Sequence, residues 1–107
     1  MKIFVFDTET TGFINKKEND LTKQPKVIQF AGILGEMKNG NFTEEKRVDI
    51  IIDPEEPIPY ASSQVHHLYD IDVKGKPIMS EVIDEIITYI NEPDMVIGHN
   101  IEFDEKN

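Results

Sequence analysis

The chain reads as an α/β domain, a mixed sheet of three antiparallel strands and one parallel strand with flanking helices. Three observations predict it. Short apolar runs at Ile3–Phe6, Val27–Leu34 and Lys46–Ile52 are separated by turn-forming residues, the pattern of successive strands. One segment, Ser80–Asn91, instead repeats its apolar residues with a helical period. A further apolar run, Met95–Ile97, follows that helix, so it returns parallel to the first strand through a crossover.

Strand 1 is placed at Lys2–Phe6, an almost continuous apolar run of the kind covered on both faces. The polar segment Phe13–Lys26 is read as a surface loop. Strands 2 and 3 are joined by the turn-rich Lys38-Asn39-Gly40-Asn41 and form a meander with strand 1. Ala61–Leu68 is a short helical turn. In the amphipathic helix, Ser80 is the expected cap, and Val82, Ile83, Ile86, Ile87 and Ile90 form the apolar face. Glu92-Pro93-Asp94 signals the turn into strand 4, Gly98 its end, and a second helix is expected from about Ile101.

Strand 1 runs into Asp7-Thr8-Glu9-Thr10-Thr11-Gly12. Side chains alternate along a strand, so Asp7 and Glu9 leave on one face, roughly 7 Å apart. Like charges that close repel unless a cation sits between them. An isolated D-x-E is usually a solvated strand end, but a second motif changes the balance. Gly98-His99-Asn100-Ile101-Glu102-Phe103-Asp104 follows strand 4. Asn100 suits a helix N-cap, and Asp104 would lie about one turn into that helix, pointing back toward the strand ends. Three carboxylates would then meet across the carboxyl ends of two adjacent parallel strands, where α/β sites usually lie.

F-D-T-E-T-T-G followed by G-H-N-I-E-F-D resembles the first and second motifs of the DEDD 3′→5′ exonucleases, in the branch of the bacterial proofreading (epsilon) subunit. Val27–Ala31, Asp53-Pro54 with Pro57-Ile58-Pro59, and Ala61–His66 are similar to that family's intervening segments, so the resemblance spans essentially the whole chain. It implies a ribonuclease H-like fold. The family's third motif, H-x-A-x-x-D, has no counterpart before Asn107, so residues 1–107 are expected to be a C-terminally truncated exonuclease domain.

By that resemblance, Asp7, Glu9 and Asp104 are catalytic and hold two Mg²⁺ ions, with Mn²⁺ as a substitute; hard oxygen ligands without thiolates suit either. The implied reaction is hydrolysis at the 3′ end of single-stranded DNA or RNA, releasing nucleoside 5′-monophosphates. Thr10, Thr11 and Gly12 would hold the terminal sugar, Phe13 would wedge against the last bases, and His66 and Asn100 would line or steady the cleft. A DNA polymerase subunit is an implied partner. The family usually has glycine after the histidine where this chain has His67, which unsettles the local turn. His99 is read as holding a loop by hydrogen bonding, and Phe103 as core packing. The missing third motif would have supplied the general base, so little nuclease activity is expected from these 107 residues alone. The competing reading is a non-catalytic, exonuclease-like module that docks on a polymerase or a nucleic-acid end.

A net charge of −10, with basic residues scattered and not in a stripe, argues against tight unaided binding along a long nucleic acid. It is compatible with an enzyme that engages only a strand end and holds cations among its carboxylates. The sequence contains no cysteine, which rules out disulfides and thiolate metal sites. Neither a leader nor an apolar run of membrane-spanning length is present, so a soluble cytoplasmic location without a membrane partner is expected.

Overall fold

The structure, a computed structural model, describes residues 1–12 and 26–99, with His99 described by its backbone alone. Four strands form one sheet in the order β3-β2-β1-β4. Strand β1 is Lys2–Thr10, β2 Val27–Lys38, β3 Asn41–Ile51 and β4 Met95–His99. Helices α1 (Tyr60–His66), α2 (Asp70–Val73) and α3 (Met79–Asn91) lie between β3 and β4. β2 is antiparallel to both β1 and β3, whereas β4 runs parallel to β1, as the crossover helix requires.

The sheet's core face is aromatic. Phe4 is fully buried and clusters with Phe30, Val48, Ile52 and Tyr89. The Phe4 ring stacks on Tyr89 at 5.1 Å between centroids and lies 5.8 Å from Phe30. Met79, Val82, Ile86 and Ile90 of α3 pack against this cluster. Such spacing is the helical stripe the sequence predicts, with two corrections. Ile87 is largely exposed and Tyr89 takes the core position instead, because the stripe advances through 79, 82, 86 and 89–90. The N-cap is Ile78, not Ser80; the Glu81 side chain accepts the Ile78 N–H at 3.0 Å and so satisfies that end of the helix.

The opposite face differs from the expectation of a strand covered on both sides. Val5 lies between Ile33 and Ile97 in the register. Among the described residues nothing closes over this row: Val5 is 39% exposed and Ile97 47%. β1 continues four residues beyond Phe6 and β4 continues through Gly98 to His99. The β2–β3 hairpin is also longer than its apolar residues suggest. Its outer part is polar, and Phe42 lies so close to Gly35 that a Cβ there would sit 2.4 Å from the ring. Helix α2 has no apolar repeat to announce it. Asp72 accepts the Tyr69 N–H and Asp70 accepts the Ile58 N–H, both at 2.8 Å, and these bonds build the turn.

Candidate active site

Asp7 and Glu9 lie inside β1, not beyond it, and their odd positions place them on the face away from α3. Both are partly buried. The register sets Asp7 opposite Ala31 of β2 and, on its other side, opposite His99 of β4. Glu9 faces Gln29, whose side-chain amide donates to Asp49 at 3.0 Å. The first residue of the H-N pair is therefore abreast of the first carboxylate, at the carboxyl ends of two parallel neighbours. Asn100 and Asp104, the other expected members from this motif, lie outside the described residues, as does Phe13. No cluster of three or more potential metal-binding side chains occurs among the described residues. Asp7 and Glu9 by themselves offer carboxylate oxygens on one strand face, a donor type that fits Mg²⁺ or Mn²⁺ and not a soft metal.

Alongside them is an open depression of about 380 Å³, lined by Val5, Asp7, Ala31, Ile33, Arg47 and Asp49. Arg47 is the cation of this wall, and its Nε pairs with Glu44 at 2.7 Å, which raises the guanidinium pKa. The depression exists because the sheet face is uncovered at this point.

A β-bulge between Glu9 and Thr10 ends the regular ladder with β2. Thr10 then closes a tight turn, its hydroxyl donating to the Gly12 carbonyl at 2.5 Å. Thr11 is pinned from two sides. Its N–H donates to the Lys26 carbonyl and its Oγ1 accepts the Lys26 N–H, both at 2.9 Å. Its carbonyl accepts the Ser62 hydroxyl of α1 at 2.6 Å.

The exonuclease family model (RNase_T) matches residues 4–107. The chain belongs to the exonuclease family. Among the chain's relatives, the DNA polymerase III epsilon subunit of Rickettsia conorii is 26% identical over 106 residues, covering 99% of the chain and 42% of the relative. The PolC-type DNA polymerase III of Clostridium perfringens is 27% identical over 94% of the chain, but only 6% of its own length is involved. The chain thus spans well under half the length of these relatives. Solved structures agree on the fold. Exonuclease X in complex with 5′ overhanging duplex DNA superposes with a TM-score of 0.66 at 19% identity, covering 97% of the chain and 52% of that protein. E. coli exonuclease I in complex with a dA16 oligonucleotide gives 0.75 at 15% identity, covering 98% and 22%. These matches establish the ribonuclease H-like architecture that the sequence predicts.

Helix α1, which carries His66, is tied to the Thr10–Gly12 turn by the Ser62–Thr11 bond. The His66 Nδ1 accepts the Leu68 N–H at 3.1 Å, which leaves the ring proton on Nε2. Among the described residues that Nε2, itself buried, has no hydrogen-bond partner. A buried donor without an acceptor is costly, and a site for an incoming oxygen is its natural complement. His67 is exposed and caps α1 with φ 62° and ψ 22°, its N–H bonded to the Ser63 carbonyl at 2.8 Å. The turn that glycine would favour is therefore formed with histidine in the left-handed region. Sequence reasoning missed Ser62 and Lys26, because the reach of a hydroxyl or a backbone group across the fold leaves no periodic trace. No helix among the described residues is long and apolar enough to cross a membrane.

Proposed function

We propose that this chain supplies the Asp7–Glu9 side of a 3′→5′ exonuclease site acting on single-stranded nucleic-acid ends and releasing nucleoside 5′-monophosphates. The observation that carries the reading is the pair of carboxylates on one face of β1, with the parallel strand β4 setting His99 beside Asp7. Asp7 and Glu9, with Asp104 from the second motif, would hold two Mg²⁺ ions. Those ions supply charge neutralisation at the phosphodiester and a more acidic attacking water.

The remaining roles belong to the protein's own groups. The Thr10–Gly12 turn forms the wall at the strand end and receives the terminal sugar. His66 lines the cleft beside that turn, its Nδ1 held by the Leu68 N–H. Phe13 stacks on the last base, a contact that tolerates any sequence. The three histidines lie outside any H-x-A-x-x-D segment, so the general base is assigned to no residue of these 107. With a net charge of −10, binding rests on the strand end and on cations, not on many phosphate contacts. Relatives named as a polymerase III epsilon subunit and as a PolC-type polymerase III support a polymerase as the partner.

The test is digestion of a 5′-labelled single-stranded oligonucleotide by the whole gene product in Mg²⁺. A ladder shortening from the 3′ end is expected, lost in EDTA and in Asp7→Ala. Cleavage that survives Asp7→Ala would overturn the assignment.

A further inference from the structure

We infer that Ser62 is a positioning residue for the strand-end turn of this site, acting through Thr11; the inference rests on the nuclease reading above. Thr11 is polar yet only 7% exposed. It stands two residues past Glu9, beyond the bulge where the regular ladder is interrupted. The two bonds to Lys26 tie it to the start of β2 and keep it in the plane of the sheet. They leave the distance from the sheet to α1 undetermined.

The Ser62 hydroxyl reaches from α1 to the Thr11 carbonyl across 51 residues of sequence, beside the Ile28, Ile58 and Val73 cluster that packs the segments flanking α1 against β2. A serine within a helix commonly bonds back to its own preceding turn. Here it reaches outward instead. Ser62 and His66 are four residues apart on the seven-residue α1, so they share one face. The Ser62 hydroxyl thus ties the helix that carries His66 directly to the Thr10–Gly12 turn. Those two walls must grip a single sugar and its phosphate, and a spacing error costs binding more than it costs the chemical step.

Ser62→Ala removes the tether and leaves the part-buried Thr11 carbonyl without that donor. In steady-state digestion of a labelled single-stranded oligonucleotide by the whole gene product, KM should rise roughly three- to tenfold, the worth of one neutral hydrogen bond. The kcat should stay within about twofold, because neither the carboxylates nor their cations are touched. Ser62→Thr, which keeps the hydroxyl, should restore KM. Amide hydrogen exchange at Thr11 and Gly12 should quicken in Ser62→Ala alone. An active parent whose KM is unmoved by Ser62→Ala overturns the inference, even if thermal stability falls, since that is a structural role only. Unchanged exchange at Thr11, or no rescue by Ser62→Thr, overturns it too. A parent that neither binds nor cuts the oligonucleotide defeats the nuclease reading itself, a result distinct from these.

Discussion

Gly32→Ala should be among the most damaging small changes this chain can carry. Gly32 lies in β2 opposite Phe6 of β1, one residue from Ala31, the partner of Asp7. A Cβ at this position would sit 2.4 and 2.6 Å from the Phe4 Cζ and Cε1 and 2.8 Å from the Val5 carbonyl oxygen. Ordinary carbon contacts are about 3.5–4.0 Å, so roughly 1 Å of movement is needed. Neither neighbour can give. The Phe4 ring is fully buried between Tyr89, Phe6 and Phe30, with centroids 5.1, 5.9 and 5.8 Å away. The Val5 oxygen belongs to the backbone of the strand that carries the carboxylates.

Overpacking of this kind costs about 1–3 kcal/mol, and a doubly blocked site belongs at or above the top of that range. Replacing glycine returns about 0.4–1 kcal/mol by restricting the unfolded chain. A net loss of about 2–3 kcal/mol follows. At about 0.05–0.15 kcal/mol per residue, the whole domain has about 5–16 kcal/mol to lose from. Urea unfolding followed by circular dichroism should show the midpoint falling by about 1–2 M at unchanged slope, taking a slope of about 1.5 kcal/mol/M. Gly12→Ala is the control, since no described residue lies within 4 Å of a Cβ there, and it should stay within about 0.5 kcal/mol of the parent. A Gly32→Ala protein as stable as the parent would refute the packing of Phe4 beneath β2, and with it the placement of Asp7 relative to Ala31.

Two further outcomes follow from the same geometry. His67→Gly should raise the melting temperature by about 2–6 °C, because the αL position at φ 62° costs a β-carbon about 1–2 kcal/mol and glycine's extra chain entropy returns only part of it; a fall in the melting temperature would refute the strain. Phe4→Ala should cost about 3–5 kcal/mol whereas Ile97→Thr costs under about 1 kcal/mol, since the first side chain is fully buried and the second 47% exposed. A loss above about 2 kcal/mol at Ile97, measured by the same urea titration, would mean that the face around Val5 is covered in solution.

How much of this was legible in the sequence depends on the kind of constraint each residue answers to. Phe4, Val82, Ile86 and Ile90 answer to burial, which repeats with the period of the element that carries them, and their positions were readable. Asp7 and Glu9 were readable for the opposite reason, as charges in a central strand that burial alone would never select. The parallel return of Met95–His99 followed from a helix standing between two strands. The outer hairpin was not readable, because Glu36–Lys38 and Asn41–Glu45 are held by ladder bonds and by Phe42 lying over Gly35, not by an alternating core face. The uncovered Val5 row was hidden as well. An apolar strand residue signals a covering surface without saying which chain segment provides it.

The Thr11 anchor belongs to a third kind, and it explains why this site was only half visible. Carboxylates announce themselves because their cost in a strand demands a reason. The residues that hold the turn beside them need carry no such cost. Thr11, Ser62 and Lys26 are ordinary polar residues at positions where polar residues are common, and their bonds join β1, the start of β2 and α1 across 15 and 51 positions. Each bond is worth about 1 kcal/mol and no composition or period records it. Yet a site of the kind proposed, holding a strand end within a fraction of an ångström, depends on such bonds as much as on the charges themselves. The chemistry proposed for this chain is therefore written in its motifs, while its tolerance for misplacement is written in hydrogen bonds that only the folded chain reveals.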